Sequence, residues 1–306
     1  MSAYGIPYKG GKSKVVNWVI ECLPPQEHFY DLFCGGCAVT HYGMIRRRWH
    51  QFNINDINGM MPQMFVDAAH GKFVGENRWI SHEEFDHTKS FDAYSAVCFS
   101  FGNDLKSYAY SKEIEPFKMA AHHAIFFGEH KYLKELLGCE FAEIEKSANV
   151  YERYLIYKRL VLQKTKRGDL SLLENLNRLQ SIERLQSLQS LQSLQSLQSL
   201  QSMQSCKTDY QEVKILPNST VYCDIPYKGT NKYGKDAFDY DRFYEWADSR
   251  DYPVFISEYD MPQEFAPISM HTRKDTMCAT SNNTLRAEKI FVQKRYAEEY
   301  KRDLFL

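Results

Sequence analysis

Hydrophobic and polar positions alternate between helical and extended periodicities over the first hundred residues of the chain. Amphipathic patterns at residues 13–23 and 38–48 predict helices, and the first of them ends at Pro24-Pro25. A short apolar run at residues 28–33 has the length of a buried strand, and residues 51–55 are also strand-like. Helices that alternate with short strands are typical of a mainly parallel sheet covered by helices, so we expect an α/β fold.

The middle of the chain departs from this alternation. One further strand is predicted at residues 94–101, but residues 106–214 are charged, bear many leucines and are poor in glycine. Such a composition favours helices, so we predict a helical insertion over residues 106–214.

After this insertion the alternating pattern returns. We predict strands at residues 220–224, 254–257 and 285–294 and a helix at residues 240–249. Residues 1–105 and 215–306 are therefore predicted to form one sheet domain, which the helical insertion interrupts.

Composition excludes several classes of protein. A chain of 306 residues with 43% hydrophobic residues can bury the core of one large domain and an insertion. It contains no 18-residue apolar block that would span a membrane, and its first 17 residues contain no apolar run typical of a signal peptide. The eight cysteines are too scattered for the disulfide framework of a small secreted domain. We therefore expect reduced thiols and a cytoplasmic location.

The net charge of −1, from 38 basic and 39 acidic residues, means that a nucleic acid would have to be attracted by local basic patches. Arg46, Arg47 and Arg48 form one such patch. A larger patch lies in the predicted insertion, where only Glu152 opposes the charges of Arg153, Lys158, Arg159, Lys164, Lys166 and Arg167. A solvated helix face is the alternative interpretation of such a run.

The first candidate site is the turn Cys34-Gly35-Gly36-Cys37, between a predicted strand and a predicted helix. Glycines at such a turn let the backbone approach a ligand closely, and the start of the helix offers unpaired N–H groups. Cys34 and Cys37 also form a CxxC motif, but no second CxxC and no spaced histidine pair accompanies it. The turn therefore predicts a small-ligand site, and we expect no metal.

The second candidate is the acidic segment Asn55-Asp56-Ile57-Asn58, which follows the next predicted strand. An acid in this position of a nucleotide-binding unit commonly binds a ribose hydroxyl. Capping of the next helix by Asp56 or Asn58 is an equally good interpretation.

The third candidate is Asp224-Ile225-Pro226-Tyr227, where an apolar strand delivers an acid, a proline and an aromatic ring to a loop. Stacking of a nucleobase on such a ring contributes about 1–3 kcal/mol. The carboxylate and a backbone carbonyl would supply acceptors for the amino group of the base. A strand that simply ends in a proline turn is the alternative.

Taken together, four segments resemble the DNA adenine methylase (Dam) family, which is the D12 class of N6-adenine DNA methyltransferases. The resemblance is to a phage-type branch of this family. The four segments are Tyr8-Lys9-Gly10-Gly11-Lys12, Asp31-Leu32-Phe33-Cys34-Gly35-Gly36, Asn55-Asp56-Ile57-Asn58 and Asp224-Ile225-Pro226-Tyr227. That family carries, in the same order, a GGK motif, an FxGxG-type turn, a D-I-N loop and a DPPY loop. The resemblance continues through Lys228-Gly229-Thr230, Phe255-Ile256-Ser257 and Glu288-Lys289-Ile290-Phe291.

This resemblance implies a Rossmann-like methyltransferase sheet with an inserted helical domain for target recognition. It implies S-adenosyl-L-methionine as cofactor, double-stranded DNA as partner, and direct transfer of a methyl group to N6 of a flipped adenine. The implied catalytic residues are Asp224, Ile225, Pro226 and Tyr227. The implied cofactor-binding residues are Tyr8, Lys12, Asp31, Phe33, Gly35, Gly36, Asp56, Ile57 and Asp224. Contacts to DNA are expected from Lys228 and from the larger basic patch, Arg153, Lys158, Arg159, Lys164, Lys166 and Arg167.

Two positions depart from the family pattern. Cys37 stands where the last glycine of the turn is usual, and it would crowd the methionine end of the cofactor. Ile225 replaces the first proline of DPPY; its carbonyl remains as an acceptor, although the loop loses some rigidity.

Three alternatives therefore stay open at this point. A cytosine-N4 methyltransferase uses a similar loop, but that class more often has serine where Asp224 stands. A catalytically weakened DNA-binding relative would follow from Cys37 and Ile225. The third alternative is a dinucleotide-binding oxidoreductase. The chain lacks the full GxGxxG motif of that class, and such a function would leave the late Asp-x-Pro-Tyr loop unexplained.

A low-complexity tract lies within the predicted insertion. The triplet Leu-Gln-Ser is repeated six times over residues 185–202 and continues as Met203-Gln204-Ser205. Its composition favours a helix, about 27 Å long at about 1.5 Å per residue. A repeat of three lags the helical turn of about 3.6 residues, so the leucines would circle the axis. We interpret the tract either as an arm of variable length or as an element for self-association or for spanning DNA.

Overall fold

A computed structural model of the chain describes residues 4–138, 144, 147, 149–165, 194, 202–228, 238–274 and 285–301. The chain divides into two compact units. The first consists of Met1–Lys72 and Ser190–Leu306, and the second of Phe73–Gln189. The first unit contains the whole of the described sheet, and the described part of the second is mainly helical.

Seven strands form the sheet of the first unit. They are β1 (His28–Asp31), β2 (Gln51–Asn55), β3 (Ser202–Cys206), β4 (Ser219–Cys223), β5 (Val254–Glu258), β6 (Phe265–Lys274) and β7 (Leu285–Gln293). Their spatial order is β3-β2-β1-β4-β5-β7-β6. The first five strands in this order run parallel, and β7 is antiparallel to both of its neighbours. The direction of strand addition reverses between β1 and β4, where α/β sheets open a crevice at the carboxyl ends of their strands.

The central strands are buried because helices cover a parallel sheet on both faces. All five residues of Val254–Glu258 are buried, as are all residues of Ser219–Cys223 except the first. In β1, Phe29 stacks on Trp49 with ring centroids 4.3 Å apart, and both side chains are almost fully buried. The strands predicted at residues 28–33, 51–55, 220–224, 254–257 and 285–294 are all present, which confirms the α/β fold.

The predicted helices of the first unit are also present. Those predicted at residues 13–23, 38–48 and 240–249 are observed as α1, α2 and α9, and a 3₁₀ turn at Lys12–Lys14 precedes α1. In chain order, the described helices are α1 (Val16–Cys22), α2 (Ala38–Ile45), α3 (Met60–Ala69), α4 (His82–Thr88), α5 (Ala93–Cys98), α6 (Glu115–His122), α7 (Lys131–Leu137), α8 (Val150–Thr165), α9 (Tyr240–Asp248) and α10 (Lys294–Tyr300).

The strand predicted at residues 94–101 is wrong, because this segment begins as α5. Asp92 caps the helix: its carboxylate accepts the backbone N–H of Tyr94 and of Ser95 at 3.0 and 3.4 Å. The apolar run that suggested a strand is buried as one short helix in the second unit. A short apolar run does not by itself distinguish a buried helix from a buried strand.

The end of the Leu-Gln-Ser tract does not continue as a helix. Residues 202–206 form β3, which pairs in parallel with β2 from Gln51↔Ser202 to Asn55↔Cys206. Backbone pairing with β2 overrides the helical preference of the residues. Apart from Leu194, which is buried, the rest of the tract lies outside the described residues.

The boundaries between the two units lie at residues 72/73 and 189/190, whereas the predicted domain boundaries lie at 105/106 and 214/215. Helices α4 and α5 belong to the second unit, whereas β3 belongs to the sheet of the first. Within the described ranges, no helix is both long enough and apolar enough to cross a bilayer.

Candidate active site

The loops that follow β1, β2 and β4 lie at the carboxyl ends of parallel strands, next to the reversal in strand order. Pairing puts Asp31 level with Ile54 of β2 and with Tyr222 of β4. The glycine turn, Asp56 and Asp224 therefore leave the sheet at the same edge. Three of the segments singled out in the sequence meet at this crevice.

The glycine turn is closely covered by the N-terminal segment. Ile6 donates its backbone N–H to the carbonyl of Gly36 at 2.7 Å, and the ring of Tyr8 lies against Gly35. A Cβ atom on Gly36 would overlap the carbonyl oxygen of Ile6 and lie 2.9 Å from Cβ of Tyr8. Gly35 has φ +46°, in the left-handed region that favours glycine. The close approach of the Ile6 backbone therefore requires glycine at position 36, and the left-handed backbone beside the Tyr8 ring favours glycine at position 35.

Cys37 also adopts a left-handed conformation, with φ 57°. Its side chain is fully buried, and its backbone N–H donates to the carbonyl of Cys34 at 2.6 Å. Burial raises the pKa of the thiols of Cys34 and Cys37, so both are protonated near neutral pH. In the described part of the chain, no group of three or more His, Cys, Asp or Glu side chains is arranged to hold a metal ion.

Asp56 is fixed by two backbone groups. Its Oδ2 accepts the N–H of Gly35 at 2.9 Å, and its Oδ1 accepts the N–H of Asn58 at 2.8 Å. Burial raises the pKa of Asp56, and these two hydrogen bonds oppose that rise. The alternative role of Asp56 or Asn58 as helix cap is wrong, since Gly59 is the N-cap of α3 and no side chain caps it.

Asp31 is a buried acid with an unusual environment at the end of β1. Thr40 donates its hydroxyl to Oδ2 at 2.8 Å, while Oδ1 is buried without a hydrogen-bond partner among the described residues. Burial raises the pKa of Asp31 to about 7, and the Thr40 hydrogen bond opposes the rise. An unsatisfied buried acceptor is costly, so its presence indicates a site that a cationic or hydrogen-bond donor group completes.

Asp224 follows β4 and forms an ion pair with Lys12. Nζ of Lys12 lies 2.5 Å from Oδ1 of Asp224 and 3.5 Å from Oε1 of Glu288. Burial raises the pKa of Asp224 to about 6, although the Lys12 ammonium opposes the rise. Burial lowers the pKa of Lys12, but the two carboxylates outweigh it and the net shift is upward. Lys12 is therefore charged, and Asp224 is mostly ionised at neutral pH.

Tyr227 is held on several sides. Its hydroxyl donates to Oε1 of Glu288 at 2.7 Å, and Nζ of Lys12 lies 4.4 Å from its ring centroid. The ring of Tyr259 meets it at 4.7 Å with an interplanar angle of 72°. Burial, followed by the Asp224 and Glu288 carboxylates, raises the pKa of Tyr227, so that its hydroxyl stays protonated.

Packing and hydrogen bonds also fix the rest of the loop. The side chain of Ile225 is 2% exposed within the hydrophobic core, and Tyr240 donates its hydroxyl to the carbonyl of Pro226 at 2.8 Å. Glu258 at the end of β5 accepts the N–H of Lys228 at 3.0 Å. Burial of Ile225 thus supplies rigidity that the missing proline would have given.

The predicted DNA contacts have different environments. Arg153 is buried, and its guanidinium donates to the carbonyls of Ile125, Phe126 and Ser147 at 2.6, 2.7 and 3.0 Å. Arg153 therefore links parts of the second unit, and this geometry does not support its predicted contact with DNA. Lys158, Arg159 and Lys228 are exposed, as is Ile57 after β2. The side chain of Lys164 and all of Lys166 and Arg167 lie outside the described residues.

Two acids that the structure brings to this crevice had no predicted role. Glu288 lies in a segment that contributes to the family resemblance, and Glu258 follows a strand that is correctly predicted. A signal was present for Glu258, which is the one charged residue of the otherwise apolar strand β5, whereas Glu288 lies in a strand that also contains Arg286 and Lys289. Acids are almost never fully buried unless they are paired.

Residues 8–250 match the model of a protein family described as D12 class N6 adenine-specific DNA methyltransferase. The matched range includes Lys12, the glycine turn, Asp56 and the loop from Asp224, and it ends before Glu258. No curated protein matches the chain.

Proposed function

The chain belongs to the family of D12 class N6 adenine-specific DNA methyltransferases, and from this premise we propose that it methylates N6 of an adenine flipped out of double-stranded DNA. The observation that carries the proposal is the position of Asp224. Its carboxylate leaves β4 at the edge of the sheet shared by the glycine turn and Asp56, and Tyr227 follows three residues later. An acceptor for an amino group and a ring for stacking thus lie beside a nucleotide-type crevice.

The residues at this crevice fit S-adenosyl-L-methionine, which supplies an electrophilic methyl group on a sulfonium ion. The buried, unpartnered Oδ1 of Asp31 fits the ammonium group of the methionine moiety. Asp56, fixed by two backbone N–H groups, fits a ribose hydroxyl, and the exposed Ile57 fits an adenine ring. The residues that would line the site are Tyr8, Lys12, Asp31, Phe33, Gly35, Gly36, Asp56, Ile57 and Asp224.

The reaction needs a more nucleophilic amino nitrogen, because its lone pair is delocalised into the adenine ring. In our proposal, Asp224 and the carbonyl of Ile225 accept hydrogen bonds from the two N–H groups of the amino group and so localise this lone pair on the nitrogen. Lys12 binds Oδ1 of Asp224 and so orients the carboxylate, which would leave Oδ2 for the amino group of the base. The proton that nitrogen loses passes to Asp224, whose pKa of about 6 suits it to accept and release a proton near neutral pH.

Two observations bear on the alternative functions. Asp224 stands where cytosine-N4 methyltransferases more often have serine, which favours adenine as the target. Ile225 and Cys37, the two departures from the family pattern, are 2% and 0% exposed, so neither side chain fills solvent-accessible space in the crevice, which argues against a weakened relative.

The proposed function is tested by nucleoside analysis and long-read sequencing of DNA from cells that express the protein. We expect N6-methyladenine in one recurring sequence context, and none in cells with the empty vector. Appearance of N4-methylcytosine, or of no modified base, would refute the proposal.

We further propose that the helical region predicted over residues 106–214 recognises the DNA, with Lys158 and Arg159 on α8 contacting phosphates. Each phosphate contact contributes about one unit to the slope of log K against log salt. Lys158→Ala is therefore expected to weaken binding to all sequences and to reduce the slope by about one. The control is Lys294→Ala on α10, an exposed lysine of the first unit; an unchanged slope in Lys158→Ala would remove this residue from the interface.

A further inference from the structure

Glu288 is a buried acid on β7 that lies beyond the range matched by the family model. It is 8% exposed, and Ile290 and Val292 on the same strand are fully buried. An ionised carboxylate costs free energy to bury unless charged or hydrogen-bonding partners compensate. The partners of Glu288 therefore indicate what it does.

Both partners belong to the candidate active site. Oε1 of Glu288 accepts the hydroxyl of Tyr227 at 2.7 Å and lies 3.5 Å from Nζ of Lys12. The same ammonium lies over the Tyr227 ring and forms the ion pair with Asp224. One oxygen atom thus links the stacking ring to the cation that orients the catalytic carboxylate.

We propose that Glu288 is a positioning residue, which fixes the Tyr227 ring for stacking on the extrahelical adenine and holds Lys12 beside Asp224. This inference rests on the proposed function, since it assigns Glu288 a part in adenine methylation. A tyrosine ring at the end of a loop is free to turn about its side-chain bonds unless its hydroxyl is anchored. The hydrogen bond to Glu288 and the edge contact with Tyr259 remove that freedom before the base arrives.

Glu288 has a second effect through Lys12. When the amino group of adenine binds the Asp224 carboxylate, this carboxylate interacts with two donors at once. Its interaction with Lys12 then becomes weaker. Glu288, at 3.5 Å, keeps a negative charge next to the ammonium and so prevents an unpaired buried cation. The lysine stays in place while Asp224 binds the substrate.

The test is a double-mutant cycle of Glu288→Leu and Tyr227→Phe, with kcat/KM for DNA methylation as one readout. The other is the fluorescence of 2-aminopurine in a duplex, placed at the adenine that sequencing identifies and measured without cofactor. We expect Tyr227→Phe to lower kcat/KM about tenfold, and Glu288→Leu, which also removes the negative charge beside Lys12, to lower it further. The double variant should lose little more than Glu288→Leu alone, because both changes break the same hydrogen bond. The fluorescence gain on binding should fall in the same pattern.

Two further variants separate positioning from a general effect on folding. Glu288→Gln keeps an acceptor for the Tyr227 hydroxyl, so its fluorescence gain should stay closer to wild type than that of Glu288→Leu. Glu258→Gln is the matched control, because Glu258 is a buried acid on the neighbouring strand that binds the loop backbone. Its effect should add to that of Tyr227→Phe.

The outcomes distinguish this inference from the proposed function. A wild-type protein that leaves no N6-methyladenine overturns the function and the inference with it. A wild-type protein that methylates DNA, with additive effects of Glu288→Leu and Tyr227→Phe in both readouts, overturns the inference alone.

Discussion

Replacement of Asp224 by alanine is expected to lower methyl transfer by roughly a thousandfold or more while the protein remains folded. The variant loses the charged acceptor for the amino group, which contributes about 1.5–3 kcal/mol. It also loses the ion pair that orients Lys12, so the reacting groups are no longer held in attack geometry. Every 1.36 kcal/mol of lost transition-state stabilisation lowers the rate about tenfold. The measurement is single-turnover methylation, with circular dichroism as the check on folding.

The matched control is Asp251→Ala, since Asp251 is an exposed acid in the turn before β5. It should retain full activity. The pH profile of the wild-type protein offers a second readout: a carboxylate whose pKa is raised to about 6 loses its charge as the pH falls through that value. We expect kcat/KM to fall about tenfold per pH unit below pH 6. Full turnover by Asp224→Ala would contradict the proposed role of this residue.

Substitution of Gly36 by alanine is the second change with a large expected effect. The new Cβ would overlap the carbonyl oxygen of Ile6 and approach Cβ of Tyr8 to 2.9 Å, so the N-terminal segment must move away from the turn. That movement breaks the hydrogen bond from Ile6 to Gly36 and shifts Tyr8 and Lys12, which line the proposed cofactor site. Affinity for S-adenosyl-L-methionine, measured by calorimetry, should fall by at least about a hundredfold, which corresponds to about 2.7 kcal/mol.

Gly75→Ala is the control for the substitution itself. Gly75 has φ +76°, but a Cβ there meets no atom within 4 Å. The control should therefore lose about 1–2 kcal/mol of stability from the left-handed backbone and keep its affinity for the cofactor. If Gly36→Ala binds S-adenosyl-L-methionine as tightly as the control, the close contact of the turn with Ile6 has no part in the site.

Much of the fold follows from local patterns in the sequence. The strands β1, β4 and β5 are mainly apolar, β2 alternates apolar and polar residues, and β7 contains the apolar run Ile290-Phe291-Val292. Proline or glycine ends several of the neighbouring elements. β6 was not predicted, because its residues Phe265–Lys274 mix polar and apolar side chains. Its pairing with β7, from Phe265↔Gln293 to Lys274↔Leu285, supplies what the local pattern lacks. Similarly, α5 depends on burial and on its Asp92 cap.

The candidate active site was likewise predicted only in part. The segments around Lys12, Gly35, Asp56 and Asp224 were identified from motifs in the sequence. The ion pair of Lys12 with Asp224 and the link from Tyr227 to Glu288 were not, because they join residues that are distant along the chain. Arg153 is the opposite case. The sequence places it in a basic patch that is predicted to lie on the surface, but its guanidinium is buried in the second unit and donates to three carbonyls.

The formation of β3 from the end of the Leu-Gln-Ser tract has a consequence for strand register. Residues 202–206 read Ser-Met-Gln-Ser-Cys, and residues 196–200, six positions earlier, read Ser-Leu-Gln-Ser-Leu. Side chains alternate between the two faces of a strand, so a slip of one triplet exchanges the faces, whereas a slip of two triplets restores them. Residues 196–200 could therefore pair with β2 in place of residues 202–206, and the two segments differ only in having leucine where Met203 and Cys206 stand. At this edge of the sheet, the copy number of the repeat therefore determines how many alternative registers compete with the native one during folding.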